Sequence, residues 1–413
     1  MIKPDVVKLH VDERTEYRIR REMPWIFAKH ATFRRVTPKN GDLVAVYGKR
    51  DTCIGIGLYD GFSPICVRML GKNVAFSCDY FVEALTAALT RRAAAQIATR
   101  QTTGLRLLSG ESEGLPGLVI DAYASTWVLK VYSAIWLPYL ADFLDALKGL
   151  CFQTASPVQG AYTIPPERLV LRFGREARPH FEKAGYREAS LAVGSDQTPY
   201  ADFLEHGAAF RAQVFHGQKT GFFLDQRNNR QLVRSLSAEK RVLDICCYSG
   251  GFSINAAIGG AKGVWSLDGD KHALDLVGQH YKLNADQPGV AASEHVPVRA
   301  NMFEWIDRAK PRQKFDLIIA DPPSFASSQA QIPAAEKAYV RLFSEAASLL
   351  APRGQILCCS CSSHIGAEKF ASLVEKALKH RTLNAIDYTG LPADHVANFA
   401  EARYLKAWLV TVK

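Results

Sequence analysis

The sequence predicts an α/β protein: a doubly wound, mostly parallel sheet over residues 204–413, preceded by a small all-β barrel over 1–72 and a central α+β region over 73–203. Three observations carry this. From about residue 204 short β-forming runs alternate with helix-compatible segments, the pattern of helix-crossed parallel strands. Before residue 72 the β-like runs are cut by turn residues at intervals too short for crossover helices. At 413 residues the chain exceeds one ordinary core, so two or three domains are expected.

Taken in order, Leu43 to Tyr47, Thr52 to Leu58 and Pro64 to Leu70 are strand-like runs, separated by Asn40-Gly41-Asp42, Tyr59-Asp60-Gly61 and Gly71-Lys72-Asn73. Tyr80 to Gln101, rich in alanine, reads as a helix. Leu105 to Leu108 and Leu118 to Asp121 bracket the Gly114-Leu115-Pro116-Gly117 turn, Trp127 to Tyr132 continues the β pattern, and Thr154 to Glu167 and Ala177 to Pro199 are loop-like. Arg241 to Cys247 then reads as a buried parallel strand. A glycine turn follows at Gly250-Gly251, with a helical segment from Phe252 to Ala257. Gly263 to Leu267, Phe315 to Ala320 and Gln355 to Cys359 are further strands, and Lys271 to Asn284 and Ala334 to Ala351 are helices. Asp244, Asp268, Asn301, Asp321 and Cys361 fall at or just beyond strand ends, the edge where open α/β sheets hold ligands.

Nearly half of the residues are hydrophobic (48%), yet no uninterrupted apolar stretch approaches a membrane span, and Met1 to Asp5 begins no signal peptide. A cytoplasmic chain with no membrane partner is expected. Nine cysteines are an odd number, and the C-x-x-C pair Cys358 and Cys361 has no second pair to complete a zinc site. No metal and no disulfide framework are expected. The net charge of +10 favours an anionic partner. Residues 1–72 hold 14 Lys or Arg against 8 Asp or Glu, with Arg18, Arg20, Arg21, Lys29, Arg34 and Arg35 interleaved with Tyr17, Trp25, Phe27 and Phe33. Cations for phosphates beside aromatics for bases are how RNA surfaces are built. For each aromatic taken singly, a core position is the commoner use.

The segment from Asp244 to Asp268 reads as a nucleoside site. Gly250 and Gly251 permit close backbone approach at a helix N-terminus. Asp268, 24 positions after Asp244, is placed to accept two ribose hydroxyls. Adjacent glycines are not the G-x-G-x-x-G of dinucleotide sites, and nothing else offers a pyrophosphate cradle. An adenosine ligand without phosphates fits better, with S-adenosylmethionine as the candidate. Farther on, Asp321-Pro322-Pro323-Ser324-Phe325 and Ser360-Cys361-Ser362 put a carboxylate and a thiol on the same sheet edge, which suggests covalent chemistry on a base.

With Asp244 to Phe252 read as D-x-x-x-Y-S-G-G-F and upstream Gln218-Lys219-Thr220-Gly221-Phe222-Phe223-Leu224-Asp225-Gln226-Arg227, the chain resembles the RlmI group of bacterial 23S ribosomal RNA (cytosine-C5)-methyltransferases. Arg21 to Phe27 and Glu113 to Asp121 extend the resemblance to essentially the whole chain. The resemblance implies an RNA-binding PUA domain over 1–72, a linking domain over 73–203 and a Rossmann-like class I methyltransferase domain over 204–413. It implies S-adenosylmethionine as cofactor, held by Gln226, Asp244, Tyr248, Gly250, Gly251, Asp268, Asn301 and Asp321. It also implies Cys361 and Asp321 as catalytic residues, and Arg227, Pro322, Pro323 and Phe325 against the substrate, 23S ribosomal RNA.

The chemistry suits those residue types. Carbon 5 of cytosine is too weak a nucleophile to attack a methyl sulfonium, whereas thiolate addition at carbon 6 makes it enamine-like. The resemblance assigns that thiol to Cys361, and strand alternation puts Cys358 and Cys359 in a core. Asp321 would hold N3 and the exocyclic amine, on a loop stiffened by Pro322 and Pro323. Ser324 stands where many cytosine methyltransferases have a second cysteine, which leaves the elimination base unassigned; His364 is not placed in the catalytic set. Position 301 is Asn where many methyltransferases have Asp. Two other readings stay open: a guanine-modifying ribosomal RNA methyltransferase without a thiol nucleophile, and a non-catalytic RNA-binding assembly factor. The oligomeric state is open too, a homodimer among the options.

Overall fold

The computed structural model describes residues 6–33, 38–152, 164–309, 313–326, 328–379, 382–387 and 390–413. Arg34 and Arg35 of the basic run, and residues 154–163 of the loop expected over 154–167, lie outside the described residues. The chain divides into two compact units. The first takes the residues up to Leu204 with Ala212–Leu224 and Ala393–Ala402; the second takes Glu205–Arg211, Asp225–Pro392 and Arg403–Lys413.

In the first unit a six-stranded sheet runs in the order Trp25–Phe27, Ile65–Gly71, Cys53–Tyr59, Leu43–Tyr47, Val7–Val11, Ala31–Thr32. Its two edge strands are joined by the single turn Ala28–His30. Four Cα steps from Phe27 to Ala31 reach at most about 15 Å, whereas six strands laid flat would put the edges about 24 Å apart, so the sheet must curl. The three expected strands are present to within a residue. The helix Glu13–Arg20 was not expected: only Thr15 and Ile19 are buried on it, and Asp12 caps it by accepting from Thr15 N–H at 2.7 Å.

A five-stranded sheet follows, ordered Ser190–Val193, Arg168–Phe173, Thr126–Val131, Leu118–Tyr123, Gly104–Ser109. The helix expected over 80–101 is Cys78–Ala94 and stops early. Gln96 there takes a left-handed φ of 49°, and Thr99 and Thr102 exchange backbone hydrogen bonds at 3.1 Å, a closed turn that the β-branched residues favour over helix. The stretch 177–199, expected as loop, holds the helix Arg178–Lys183 and the edge strand Ser190–Val193. Both are too short to show a period, and Phe181, stacked on Phe173 at 4.4 Å, is the helix's one buried residue. Leu43, Leu58 and Leu70 of the first sheet share a core with Phe81, Trp136 and Phe143.

The second unit is built on seven strands: β1 (Arg241–Ile245), β2 (Gly263–Asp268), β3 (Glu294–Arg299), β4 (Phe315–Ala320), β5 (Leu350–Ser360), β6 (Thr382–Asp387) and β7 (Lys406–Val412). Their order is β3-β2-β1-β4-β5-β7-β6. Strands β1 to β5 are parallel, and β7 lies antiparallel to both β5 and β6. The order reverses between β1 and β4, so their carboxyl ends open a crevice there. The helices are α1 (Arg227–Leu236), α2 (Gly251–Ile258), α3 (Lys271–Leu283), α4 (Pro288–Ala292), α5 (Met302–Ala309), α6 (Ile332–Ala347) and α7 (Ala367–Leu378). The helix expected over 334–351 ends at Ala347, because Leu350 and Ala351 already belong to β5. No helix among the described residues is long and apolar enough to cross a membrane.

Candidate active site

The turn after β1 needs unusual backbone. Cys246, Tyr248 and Gly250 have φ of 61°, 48° and 77°, and left-handed non-glycine residues persist only where the surroundings hold them. Three bonds do so here: Tyr248 N–H to Asp268 Oδ2 at 2.9 Å, Cys247 N–H to the Leu267 carbonyl at 3.1 Å, and Gly250 N–H to the Cys247 carbonyl at 2.8 Å. A Cβ at Gly250 would sit 2.9 Å from the Val277 methyls, so the turn packs against α3 with no room for a side chain. Gly251 opens α2.

Asp244 is fully buried. Its Oδ2 accepts from Ser253 Oγ at 2.7 Å, Ser253 Oγ lies 2.7 Å from Ser266 Oγ, and Asp244 Oδ1 has no partner. Burial pushes its carboxyl up to about 7 against the pull of the Ser253 bond, and the charges of Asp321 and Asp268 add to the rise. The buried Ser249 hydroxyl also lacks a partner. Asp268 accepts Asp270 N–H on Oδ1 at 2.9 Å and Tyr248 N–H on Oδ2. These features fit S-adenosylmethionine: a buried acid with a spare oxygen for its cationic end, a half-buried acid for its ribose, and a turn between them that ends in two glycines. Asn301 follows Ala300, whose N–H donates to the Asp268 carbonyl at 3.1 Å; it is exposed, and its Oδ1 accepts Phe303 N–H at 3.0 Å at the start of α5.

Asp321 and Cys361 come together through strand register. Ala320 pairs with Ile245 of β1 and with Cys358 of β5, so both residues leave the sheet on one edge. The two loops share an acceptor: Ser324 Oγ and Ser362 Oγ donate to the Ala326 carbonyl at 2.9 and 3.3 Å. Phe325 packs edge-on against Tyr339 at 4.8 Å, and the Tyr339 hydroxyl lies 2.9 Å from Ser360 Oγ. Pro322 is buried and Pro323 exposed. Cys361 is half-buried, whereas Cys358 and Cys359 are fully buried and burial pushes both thiols up. The Cys246 thiol is also raised, by burial first and then by Asp268, Asp321 and Asp244.

Gln226 donates through Nε2 to Asp321 Oδ2 at 2.8 Å, while its Oε1 accepts from Asn229 Nδ2 at 2.5 Å. The amide that the resemblance gives to the cofactor thus lies against the Asp321 carboxylate. Arg227, expected against substrate, is 2% exposed and faces Glu205, with its Nε 3.6 Å from Oε2. Arg230 binds both oxygens of Glu205 at 2.6 Å. Burial alone would raise the Glu205 carboxyl, but Arg230 and Arg227 hold it below the ordinary range. His364 is exposed.

One residue near Cys361 carries no mark in the sequence that singles it out. Lys406, at the start of β7 and 2% exposed, pairs with Ser360 across the sheet, and its Nζ donates to the Ser362 and Tyr404 carbonyls, both at 2.6 Å. Its local signal is a lysine that opens the apolar run Lys406-Ala407-Trp408-Leu409-Val410.

A family model described as S-adenosylmethionine-dependent methyltransferase matches residues 183–410, more than half of the chain. The chain belongs to this methyltransferase family. S-adenosylmethionine is the cofactor of the family and of this enzyme. A second model, of a PUA-like domain, matches residues 9–72 of the methyltransferase. A ribosomal RNA large subunit methyltransferase of Deinococcus radiodurans is 38% identical over 97% of this chain and 96% of its own. The ribosomal RNA large subunit methyltransferase I of Aeromonas salmonicida is 32% identical over 98% and 100%. These relatives put the methyltransferase in the RlmI group that its motifs resemble. Among solved structures, a SAM-dependent methyltransferase from Streptococcus mutans shares the fold with a TM-score of 0.81, at 20% identity over 98% of this chain and 100% of its own. A second solved structure, described as a methyltransferase complexed with SAH, gives 0.80 at 21% identity with the same coverage.

Proposed function

We propose that this methyltransferase forms 5-methylcytosine in large-subunit (23S) ribosomal RNA in the cytoplasm, through a covalent bond between Cys361 and carbon 6 of the target base. The names of its full-length relatives support the substrate. The observation that carries the chemistry is the pairing of a half-buried thiol with a carboxylate on two loops tied to one carbonyl, Ala326.

On this reading the Cys361 thiolate adds to carbon 6, and the electron pair of the 5,6 double bond makes carbon 5 nucleophilic. Asp321 holds N3 and the exocyclic amine, with Gln226 fixing the plane of its carboxylate by occupying Oδ2. Bound S-adenosylmethionine supplies an electrophilic methyl on a sulfonium. After carbon 5 has taken the methyl, loss of its proton returns the electron pair, restores the double bond and expels Cys361 as thiolate. Asp268 receives the ribose hydroxyls, Asp244 faces the cationic end of the cofactor, and Gly250 and Gly251 let the backbone approach. Phe325, braced by Tyr339, flanks the base beside Pro322 and Pro323.

We assign residues 1–72 to RNA anchoring, 73–203 to spacing and 204–413 to chemistry. Of the four N-terminal aromatics only Tyr17 is exposed, at 57%, with Arg21 stacked over its ring at 4.6 Å, whereas Trp25 is held by Phe399 and Glu111. Exposed Arg14, Arg21 and Lys29 supply the charge for phosphates.

RNA carrying 5-fluorocytidine has no proton at carbon 5 to lose, so it should trap the enzyme after methyl transfer in an adduct stable on denaturing gels. Mass spectrometry should place the adduct on Cys361, and Cys361→Ser should abolish it while keeping cofactor affinity. Attachment at Cys246 or Cys359 would overturn the assignment. Absence of an adduct on RNA that is otherwise methylated would favour guanine modification without a thiol.

A further inference from the structure

A lysine that is 2% exposed is costly unless its charge is used, because moving an ammonium out of water is expensive. Lys406 has no carboxylate partner among the described residues. Its two hydrogen bonds go to the carbonyls of Ser362 and Tyr404, which take two of its three hydrogens. The register Ser360 to Lys406 fixes it beside the strand end from which the Ser360-Cys361-Ser362 loop departs, so the ammonium is tethered to the residue after Cys361 and paired with the residue before it.

We propose that Lys406 is a positioning residue for the nucleophile: its ammonium, held against the Ser360–Ser362 loop, favours the thiolate of Cys361. This rests on the reading of Cys361 as nucleophile. Tyr339 and Cys359 are the other titratable groups that feel the charge of Cys361, and Asp321 acts on both; each is neutral or negative when it titrates, whereas Lys406 brings a positive charge that Cys361 reinforces. Burial pulls the ammonium down to about 8 while the charge of Cys361 raises it. It is therefore protonated at neutral pH, and its support for the thiolate fades as pH rises through 8. An exposed lysine would be screened by water and would do little.

The test is the pH dependence of alkylation of the full-length protein by iodoacetamide, followed on the Cys361 peptide by mass spectrometry, with exposed Cys53 as internal reference. Lys406→Gln keeps amide hydrogens for the two carbonyls but no charge, and Lys406→Arg keeps the charge. At pH 7 the Cys361 rate should fall about tenfold in Lys406→Gln, the effect of a thiol pKa raised by one unit, with Lys406→Arg close to wild type and Cys53 unchanged. An unchanged Cys361 profile in Lys406→Gln that still binds S-adenosylmethionine would mean that Lys406 only ties two carbonyls, and would overturn the proposal. If Lys406→Gln does not fold, the wild type decides: a Cys361 inflection at or above that of Cys53 overturns the proposal too. No RNA enters this assay, so failure of the covalent mechanism shows separately, as a missing 5-fluorocytidine adduct.

Discussion

Replacing Asp268 with alanine should weaken S-adenosylmethionine binding by about 1.5–3 kcal/mol, the usual scale for hydrogen bonds to a charged group. The side chain accepts two backbone hydrogen bonds, from Tyr248 N–H and Asp270 N–H at 2.9 Å each, which leaves the remaining lone pairs of both oxygens for the two ribose hydroxyls. At about 1.4 kcal/mol per decade, the dissociation constant should rise roughly tenfold to a hundredfold. Calorimetric titration measures it directly. Asp268 also holds Tyr248 in its left-handed conformation, so the melting temperature should fall as well. Asp268 is half-buried and water can reach the freed N–H groups, so a stability loss of about 1 kcal/mol is expected, or about 2–4 °C for a unit of this size. Asp268→Asn, which keeps one oxygen, should fall between alanine and wild type. A folded Asp268→Ala protein with an unchanged dissociation constant would remove Asp268 from the cofactor site. A lowered melting temperature with unchanged affinity would show that it serves the turn alone.

Asp244 should make cofactor affinity depend on pH. Its carboxyl in the folded chain, at about 7, lies above the ordinary 3.8, so the folded state holds a proton that the unfolded state has released. That term stabilises the fold fully below about pH 4 and is lost as pH rises through 7. Affinity runs the other way, because the cationic end of the cofactor prefers ionised Asp244: from pH 6 to pH 8 the ionised fraction rises about tenfold, and calorimetry should show the dissociation constant falling by up to that factor in wild type and less in Asp244→Asn. Gln226→Leu should lower kcat about tenfold, because it removes one charge-assisted hydrogen bond to Asp321, with cofactor affinity unchanged; a drop in cofactor affinity alone would return Gln226 to the cofactor. Replacing Arg14, Arg21 and Lys29 together with glutamine should reduce the salt slope of RNA affinity by about one for each phosphate that these side chains neutralise, and an unchanged slope would show that this face does not meet the RNA backbone.

What the sequence revealed of the site was what chemistry marks locally. Asp268 and Asp321 each close a short apolar run, Asp244 lies within one near its end and Cys361 just beyond one, so strand ends and reactive groups are visible in the same few residues. What stayed hidden depends on partners far along the chain. The resemblance implies Arg227 against substrate, and nothing in its local sequence marks the partner it meets. The helical phase that buries Arg227, Arg230 and Val233 on one side of α1, and the distant Glu205 that receives the two arginines, set where it stands in the fold. Gln226 points to Asp321 across 95 residues of sequence. The short strands Trp25–Phe27 and Ala31–Thr32 have too few residues for alternation to register. Tyr17 and Trp25 look alike in sequence, and only the packing of Trp25 against Phe399 and its bond to Glu111 tell an anchored ring from an exposed one.

The charges around the site also bear on the order in which its parts can work. Asp244, Asp268 and Asp321 close three adjacent strands, and their mutual repulsion contributes to the raised carboxyl of Asp244 and to the raised thiol of Cys246. Adding a thiolate at Cys361 places a further negative charge at the same sheet edge, which is unfavourable unless cations are close. On the proposed reading positive charge comes from the sulfonium and amino groups of the cofactor on the β1 and β2 side, and from Lys406 on the β5 and β7 side. On that reading the cofactor's cations relieve Asp244, and the ammonium is left to serve Cys361. A cytosine is then, on the proposed reading, attacked most readily when the cofactor is already bound, because one of the carboxylates that would oppose the thiolate, Asp244, has by then met a cation.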